Sequence, residues 1–334
     1  MPMIDPRTVS ASYVRSLLET IEQQGVTRAE ALRGLPLDET QLAQANGRVA
    51  LGVMGLLWQR GLQLTGDAGL GLKLGTQARP ATFNVLGHAL MNCATLGQAL
   101  ELMLRYQRLV SEAGTLSARR SADAVALEYR AHPGLALLPQ QVEGIVAGIL
   151  GQSRWLAGRP VLPRAMAFAH APQADPAAYR AALGVLPDFG APLTLLELAA
   201  ADLEAPLPQS DAAMCALHCR LADGLLEALP PIGFVSGFAR QWLASAAPGA
   251  MRIDDLAAAL ATSVRTLQRQ LAKEQVHWTT LVDGARRDAA LRLLQSGTTL
   301  EAAAQALGYH DASSLSRAVR RWSGQAPGRL RRST

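Results

Sequence analysis

Cysteine is scarce in this chain, with three in 334 residues. So few cysteines do not build a disulfide framework, and they favour a reducing compartment, so we expect a cytoplasmic protein. Long apolar runs are missing too, because none reaches the roughly 18 residues that a membrane-spanning helix needs. The first residues, MPMIDPRTVSASYVRSLLE, lack the basic and apolar segments of a secretory signal. Since 49% of the residues are apolar and 18% charged, the sequence predicts a globular protein with no membrane partner.

The motifs of common enzyme classes are also missing. The stretch GLGLKLG at residues 69–75 has glycines spaced GxGxxxG. A dinucleotide loop instead needs GxGxxG after a strand and an acidic residue further along. We therefore interpret these glycines as turn and close-packing positions. No GxSxG elbow with an ordered Ser/His/Asp set occurs, so we expect no enzymatic activity and no cofactor.

Charge is distributed unevenly along the chain. From residue 233 to the end there are 14 Lys+Arg and 7 Asp+Glu, a net charge of +7, whereas residues 1–232 carry 18 and 20, a net charge of −2. A basic C-terminal third on a slightly acidic body is typical of a nucleic-acid-binding module attached to another domain. A basic segment alone is also compatible with an ordinary solvated surface.

The first two hundred residues mix both kinds of secondary structure. Helical periodicity and strand-like alternation occur without a regular βαβ repeat, which predicts an α+β domain. The expected helices cover residues 8–24, 48–64, 95–110 and 137–156, and the expected strands cover residues 115–121, 124–131, 163–172 and 191–198. Prolines at positions 206 and 208 then interrupt the chain. We predict a domain at 1–205, a helical connector and linker at 206–232, and a second domain at 233–334.

The second domain contains two similar helical segments, RIDDLAAALATSVRTLQRQLAKE and TLEAAAQALGYHDASSLSRAVRRW. Each predicts a short amphipathic helix, a tight turn and a second helix with Arg on its outer side, and a long helix at 279–295 joins them. This is an all-α fold of two helix-turn-helix units. Two such units on one rigid helix would present their second helices to one face of DNA about 34 Å apart.

Side chains suited to reading bases lie on the outer faces of these second helices. In the first unit, Arg265, Gln268 and Arg269 share one face, and Arg and Gln bond bidentately to guanine and adenine edges. In the second unit, Ser313, Ser316 and Arg317 occupy the outward positions, and the neighbouring Ala312 has no group that can bond to a base. The first helix is therefore better equipped to specify a sequence, and the second to position the protein.

These stretches closely resemble the DNA-binding domain of AraC/XylS-type bacterial transcriptional regulators, above all SVRTLQRQLAKE and AAAQALGYHDASSLSRAVRRWSGQAPGRLRR. Tyr309 and Leu315 stand where phenylalanine is usual, and Val319 replaces a bulky aromatic residue. These departures affect core packing more than DNA contact. The resemblance implies that the six outward residues contact bases. The residues expected to contact the DNA phosphates are Ser263, Thr266, Arg286, Arg287, His310, Arg320 and Arg321.

The N-terminal stretch DAGLGLKLGTQARPATFNVLGHALMNCATLGQALELMLRYQRLV resembles the arabinose-binding-like domain of an AraC-type subgroup. Its members respond to amino acids, related metabolites and, in some cases, fatty acids. The helix-rich pattern does not fit the cupin barrel of the arabinose regulator itself. Phe83, Arg105, Tyr106 and Trp155, with Trp58, come from segments that could converge on an effector pocket. The alternative is that these aromatic residues belong to the core.

Cys215, His218 and Cys219 share one face of a predicted helix. Three such ligands could hold zinc or sense redox state, but no fourth ligand with motif spacing is visible. Ordinary helix packing is the favoured interpretation, with no metal site.

The sequence thus predicts a DNA-binding transcriptional regulator, an activator in most of the family, controlled by a small-molecule effector. The expected partners are double-stranded operator DNA, the effector, RNA polymerase and a second copy of the chain. A constitutive dimeric regulator without a ligand is the main alternative, and an enzyme fused to a DNA-binding domain is less favoured.

Overall fold

The chain forms two compact units, an N-terminal unit at Arg7–Leu229 and a C-terminal unit that begins at Pro230. The structure, a computed structural model, describes residues 6–37, 39–132, 135–230, 235–245 and 251–323. No helix in these ranges is both long and apolar enough to cross a membrane.

The N-terminal unit is a mixed α and β structure, as predicted. Its helices are α1 (Ala11–Glu22), α2 (Arg28–Leu32), α3 (Glu39–Ala43), α4 (Leu51–Thr65), α5 (Leu70–Thr76), α6 (Asn84–Met91), α7 (Leu96–Val110), α8 (Pro139–Ala157), α9 (Pro176–Leu183), α10 (Ala200–Glu204) and α11 (Ala212–Ala228). Its strands are β1 (Thr8–Ser10), β2 (Arg48–Ala50), β3 (Gly114–Arg120), β4 (Ala124–Ala131), β5 (Ala165–Phe168), β6 (Asp188–Phe189) and β7 (Thr194–Ala199).

The main sheet has the strand order β3-β4-β7-β5-β6 and is antiparallel except for the parallel β5–β6 pair. The predicted hairpin is confirmed, and its turn is closed by the Ser121 N–H, which donates to the Ala124 carbonyl at 2.8 Å. Every second side chain of β4 and β7 faces the helices. Leu127 and Leu196 are examples, and they are 2% and 1% exposed. The sheet and its helices therefore enclose the largest part of the core.

Two helices are shorter than predicted at their N-terminal ends. Thr8–Ser10 and Arg48–Ala50 were expected to be helical, but they pair as the antiparallel strands β1 and β2. The Ser10 hydroxyl then accepts a hydrogen bond from the Tyr13 N–H at 3.3 Å and caps α1. A pairing between segments forty residues apart leaves no mark in local periodicity, which explains the error.

Gly71 and Gly75 of GLGLKLG lie inside helix α5 and let it approach α8 closely, whereas Gly69 stands in the turn before this helix. A Cβ at Gly71 would lie 2.0 Å from the Gln140 carbonyl oxygen, and one at Gly75 would lie 2.3 Å from the Ala147 Cβ. The close-packing interpretation is therefore confirmed for Gly71 and Gly75, and the turn interpretation for Gly69.

The segment expected to be a connector is mostly a packed helix. Within residues 206–232, α11 packs against α6 and α7, and Cys215 and Ala222 on its inner face are 5% and 0% exposed. The two compact units divide after Leu229. Apolar burial along α11 is the reason that this segment belongs to the N-terminal unit.

The described part of the C-terminal unit is helical, in agreement with the predicted all-α domain. Its helices are α12 (Val235–Ser245), α13 (Ile253–Ala259), α14 (Val264–Lys273), α15 (Trp278–Gln295), α16 (Leu300–Ala306) and α17 (Ala312–Ser323). Helix α12 has no counterpart in the sequence-based prediction. Its first backbone N–H groups, at Val235 and Ser236, each donate to the Glu274 carboxylate at 2.8 Å. A carboxylate at this position satisfies donors that lack a partner within the helix and stabilises the helix dipole.

Candidate nucleic-acid interface and ligand cavity

The pairs α13–α14 and α16–α17 are two copies of one helix-turn-helix plan. Both turns use a residue in the left-handed region, Ala261 at φ +49° and Gly308 at φ +71°. Both are closed by the same bond, from Thr262 N–H to Ala257 O at 2.8 Å and from Tyr309 N–H to Ala304 O at 2.9 Å. The repeat predicted from the sequence is therefore present in the backbone.

Helix α14 presents one polar face and buries the other. Ser263 caps it, accepting from the Thr266 N–H at 3.2 Å, and Leu267 and Leu271 are 0% and 1% exposed. The predicted base-reading residues of the first unit are Arg265, Gln268 and Arg269, and all three are exposed. Their spacing places them together on the side of α14 opposite the buried leucines.

Helix α17 has the same arrangement, but fewer of its outward side chains can bond bidentately to a base edge. Asp311 caps it through a 2.6 Å bond from the Ser314 N–H, and that bond holds the pKa of the Asp311 carboxyl below its usual value. Ser313 and Arg317 are exposed and Ser316 is half-buried. The Arg317 guanidinium donates to the Ser314 hydroxyl at 3.2 Å.

The residues expected to contact phosphates differ in their surroundings. Arg287 pairs with Asp288 at 3.0 Å and Arg321 with Asp283 at 3.3 Å, and all four side chains are about half exposed or more. Exposed pairs of this kind contribute little to stability, so a phosphate can replace the carboxylate. Arg286 is half-buried, and its Nε lacks a hydrogen-bond partner in the part of the chain that the structure describes.

The remaining members of that set lie at the helix ends. The His310 ring is 97% exposed, with its Nδ1 at 3.5 Å from an Asp311 carboxylate oxygen. Arg320 is exposed in the last turn of α17. The hydroxyls of Ser263 and Thr266 lie 2.9 Å apart at the start of α14.

The N-terminal unit contains an apolar cavity of about 120 Å³. It is walled by α1, α4, α5, α7, α8 and the β3–β4 hairpin, with Met54, Trp58 and Ile145 among its apolar lining. Its few polar lining groups include the phenols of Tyr13 and Tyr129. The Tyr129 hydroxyl is buried and has no hydrogen-bond partner among the described residues. A largely apolar cavity with a few convergent polar groups is the usual form of a small-molecule site.

The four predicted effector residues do not converge on this cavity. Phe83 lines it, together with Trp58. Tyr106 is fully buried, and its hydroxyl donates to Asp223 of α11 at 2.7 Å, while Arg105 pairs with the same carboxylate at 2.8 Å. Trp155 packs at the margin of the main core. The predicted convergence is corrected, because Arg105 and Tyr106 instead tie α7 to α11.

Sequence reasoning missed Tyr13 and Tyr129. They lie on α1 and β4, more than a hundred positions apart. Their proximity is visible in electrostatics, because the Tyr129 phenol adds to the effect of burial in raising the pKa of Tyr13. No local pattern in the sequence indicates this pairing.

The cysteines form a packed contact between α6 and α11. The sulfurs of Cys93 and Cys215 lie 4.0 Å apart, and burial raises the pKa of the Cys93 and Cys219 thiols. The rings of His88 and His218 stack beside them, with centroids 5.5 Å apart. No group of three or more metal-binding side chains occurs in the described ranges. Protonated thiols are poor ligands and poor nucleophiles, which favours the packing interpretation.

Comparison with known proteins assigns a relationship to both units. A model described as the arabinose-binding domain of AraC transcription regulator, N-terminal, matches residues 25–207, and a helix-turn-helix domain model matches residues 256–333. The ornithine utilization regulator of Pseudomonas aeruginosa is 28% identical over 327 residues, covering 96% of this chain and 95% of the relative. The regulator VirS of Mycobacterium tuberculosis is 33% identical over 250 residues, 72% of each chain. The crystal structure of the transcriptional regulator CdpR from Pseudomonas aeruginosa covers 96% of this chain and 98% of its own, with 23% identity and a TM-score of 0.48.

Proposed function

Since this chain belongs to the AraC family of transcription regulators, we propose that it binds specific operator sequences and that a small molecule in its N-terminal cavity controls that binding. The observation that carries the proposal is the repeated helix-turn-helix unit with Arg265, Gln268 and Arg269 exposed on one face of α14. These side chains read base edges in the major groove, and Ser313, Ser316 and Arg317 of α17 follow in the next segment.

Phosphate contacts set the register of the two helices on DNA. We assign them to Arg286, Arg287, Arg320, Arg321 and His310, together with the hydroxyls of Ser263 and Thr266. Exposed cations around two recognition helices release counterions from DNA, so affinity depends steeply on salt. In the cell, this binding takes place in the cytoplasm and recruits RNA polymerase, making the protein an activator.

Effector control is favoured over constitutive binding by the cavity. Its lining is mostly apolar with a few polar groups, which is the usual form of a small-molecule site. Effector binding would shift an equilibrium between arrangements that do and do not engage operator DNA.

A second copy of the chain completes the proposed regulator, with α11 as the contact. Met214, Leu217 and Leu221 are 40%, 41% and 54% exposed and lie three and four positions apart, which places them on one stripe. Apolar side chains at this spacing are what a two-helix contact requires.

Genome-wide footprinting followed by gel shifts tests the proposal. Replacing Arg269 with alanine is expected to cost about 1–3 kcal/mol of specific binding and to leave non-specific binding nearly unchanged. Unchanged affinity of Arg269→Ala for the native operator would show that this face does not read bases. Affinity that stays flat between low and physiological salt would exclude the assigned phosphate contacts. Operator affinity with and without effector separates the controlled regulator from the constitutive one.

A further inference from the structure

The charge character of the cavity limits what can occupy it. None of the described residues that line it carries a charge. An ammonium or carboxylate group that enters loses its hydration, and no lining charge offsets the loss. Amino acids and fatty-acid anions are therefore poor occupants. Sugars are poor occupants as well, because each of their several hydroxyls needs a partner that a mostly apolar lining does not supply.

The size of the cavity sets a second limit. A volume of about 120 Å³ is comparable to the roughly 150 Å³ apolar cavities that stay dry and bind benzene. A single aromatic ring or a short aliphatic chain fits this volume.

The polar groups of the lining offer an occupant few hydrogen bonds. Gln107 is already engaged, since its amide donates to the Leu104 carbonyl at 2.8 Å and its oxygen accepts from the Leu116 N–H at 2.7 Å. The oxygen of Gln141 accepts from the Leu138 N–H at 2.8 Å. The hydroxyl of Tyr129 has less than 1 Å² of accessible surface, so an occupant does not reach it. A molecule with few polar atoms therefore suits this lining.

We infer that the cavity binds an uncharged, mainly apolar molecule about the size of one ring. This inference rests on the proposed effector function and gives the chemical class of the effector. It separates this chain from a regulator that senses an amino acid.

Four ring-matched probes on the full chain test the charge limit: acetophenone, benzoate, benzylammonium and L-phenylalanine. They share a phenyl ring and differ in charge. Acetophenone is expected to raise the melting temperature and to bind by calorimetry at millimolar concentration, whereas the three charged probes are not. Failure of acetophenone to bind, or equal binding by any charged probe, overturns the inference.

Two variants test the position. Ile145→Trp fills the cavity and is expected to abolish acetophenone binding in protein that still melts cooperatively. Tyr309→Phe changes a side chain in the other unit and is expected to leave binding unchanged. An unchanged affinity in Ile145→Trp overturns the assignment of the cavity.

Operator affinity, measured in the same preparations, distinguishes the two proposals. Loss of acetophenone binding with intact operator binding rejects only the ligand class. Acetophenone binding that follows the variants as expected but leaves operator affinity unchanged supports the ligand class and rejects effector control.

Discussion

Tyr179 donates a hydrogen bond of 2.5 Å to Oε1 of Glu143, a carboxylate that is fully buried where α8 meets α9. The other oxygen of Glu143 has no partner among the described residues. Burial raises the pKa of Glu143 to about 7, and the bond from Tyr179 opposes that rise. An acidic group in the core of the N-terminal unit thus titrates near neutral pH.

Glu143 should make the stability of the N-terminal unit fall as pH rises. Below the ordinary pKa of 4.5, the carboxyl is protonated in both the folded and unfolded states and contributes nothing. Between 4.5 and about 7, the unfolded chain releases its proton while the folded chain retains it, so the free energy of unfolding decreases and then levels off. Glu143→Gln removes this dependence, and relative to the variant the wild type should lose up to about 3 kcal/mol.

Urea unfolding near pH 5 and near pH 8 measures the effect. The exposed Glu204 provides a control, because Glu204→Gln should leave the pH dependence as in the wild type. A Glu143→Gln variant whose stability follows the wild-type pH profile would contradict the role of this carboxyl.

The contact between α5 and α8 should not tolerate a methyl group. In Gly71→Ala, the new Cβ meets the Gln140 carbonyl at 2.0 Å, so the helices must separate, at a cost of about 1–3 kcal/mol. Gly55→Ala in α4 is the matched control, because the new Cβ would have no atom within 4 Å. The higher helix propensity of alanine should stabilise this variant by up to about 1 kcal/mol. Thermal unfolding should rank Gly71→Ala below the wild type and Gly55→Ala at or above it; the reverse order would contradict the packing.

The two recognition helices should contribute unequally to sequence readout. Gln268→Ala on α14 should cost about 1–3 kcal/mol for the native operator and relax the base preference at one position. Ser316→Ala on α17 should change affinity by less and leave the base preference intact, because a hydroxyl bonds to several bases. Binding to an operator library, one base pair changed at a time, measures both. Equal relaxation by the two variants would argue against an unequal pair.

Dimer formation should depend on the exposed stripe of α11. Leu217→Asp places a charge in the proposed contact and should shift the protein towards the monomer in analytical ultracentrifugation. Leu186→Asp changes an equally exposed leucine, 44% against 41%, outside the stripe and should have no effect. A dimer unaffected by Leu217→Asp would place the interface elsewhere.

Local chemistry made the C-terminal unit predictable. Ser263, Thr299 and Asp311 each accept a bond from a backbone N–H near the start of a helix. Gly297 follows α15 and Gly308 follows α16, and both have positive φ values. A cap, a helix face and a turn each depend on residues within a few positions of one another.

The N-terminal unit was less predictable because its deciding contacts are distant in sequence. Local periodicity predicts helix where β1 and β2 pair, and the two prolines predict a connector where α11 packs. Arg105, Tyr106 and Trp155 are predicted to converge on an effector pocket, but none of them lines the cavity. Tyr13 and Tyr129 become neighbours only when α1 packs beside the sheet.

The sequence by itself determined the class of the protein, the repeated helix-turn-helix plan and the residues on the outer face of α14, because helical periodicity and capping act over single turns. Only the tertiary structure decided that GLGLKLG is a helix contact, that α11 belongs to the N-terminal unit, and that no charged side chain is among the described residues lining the cavity. Burial is a property of the assembled chain, and a side chain acquires its surroundings only when distant segments pack together.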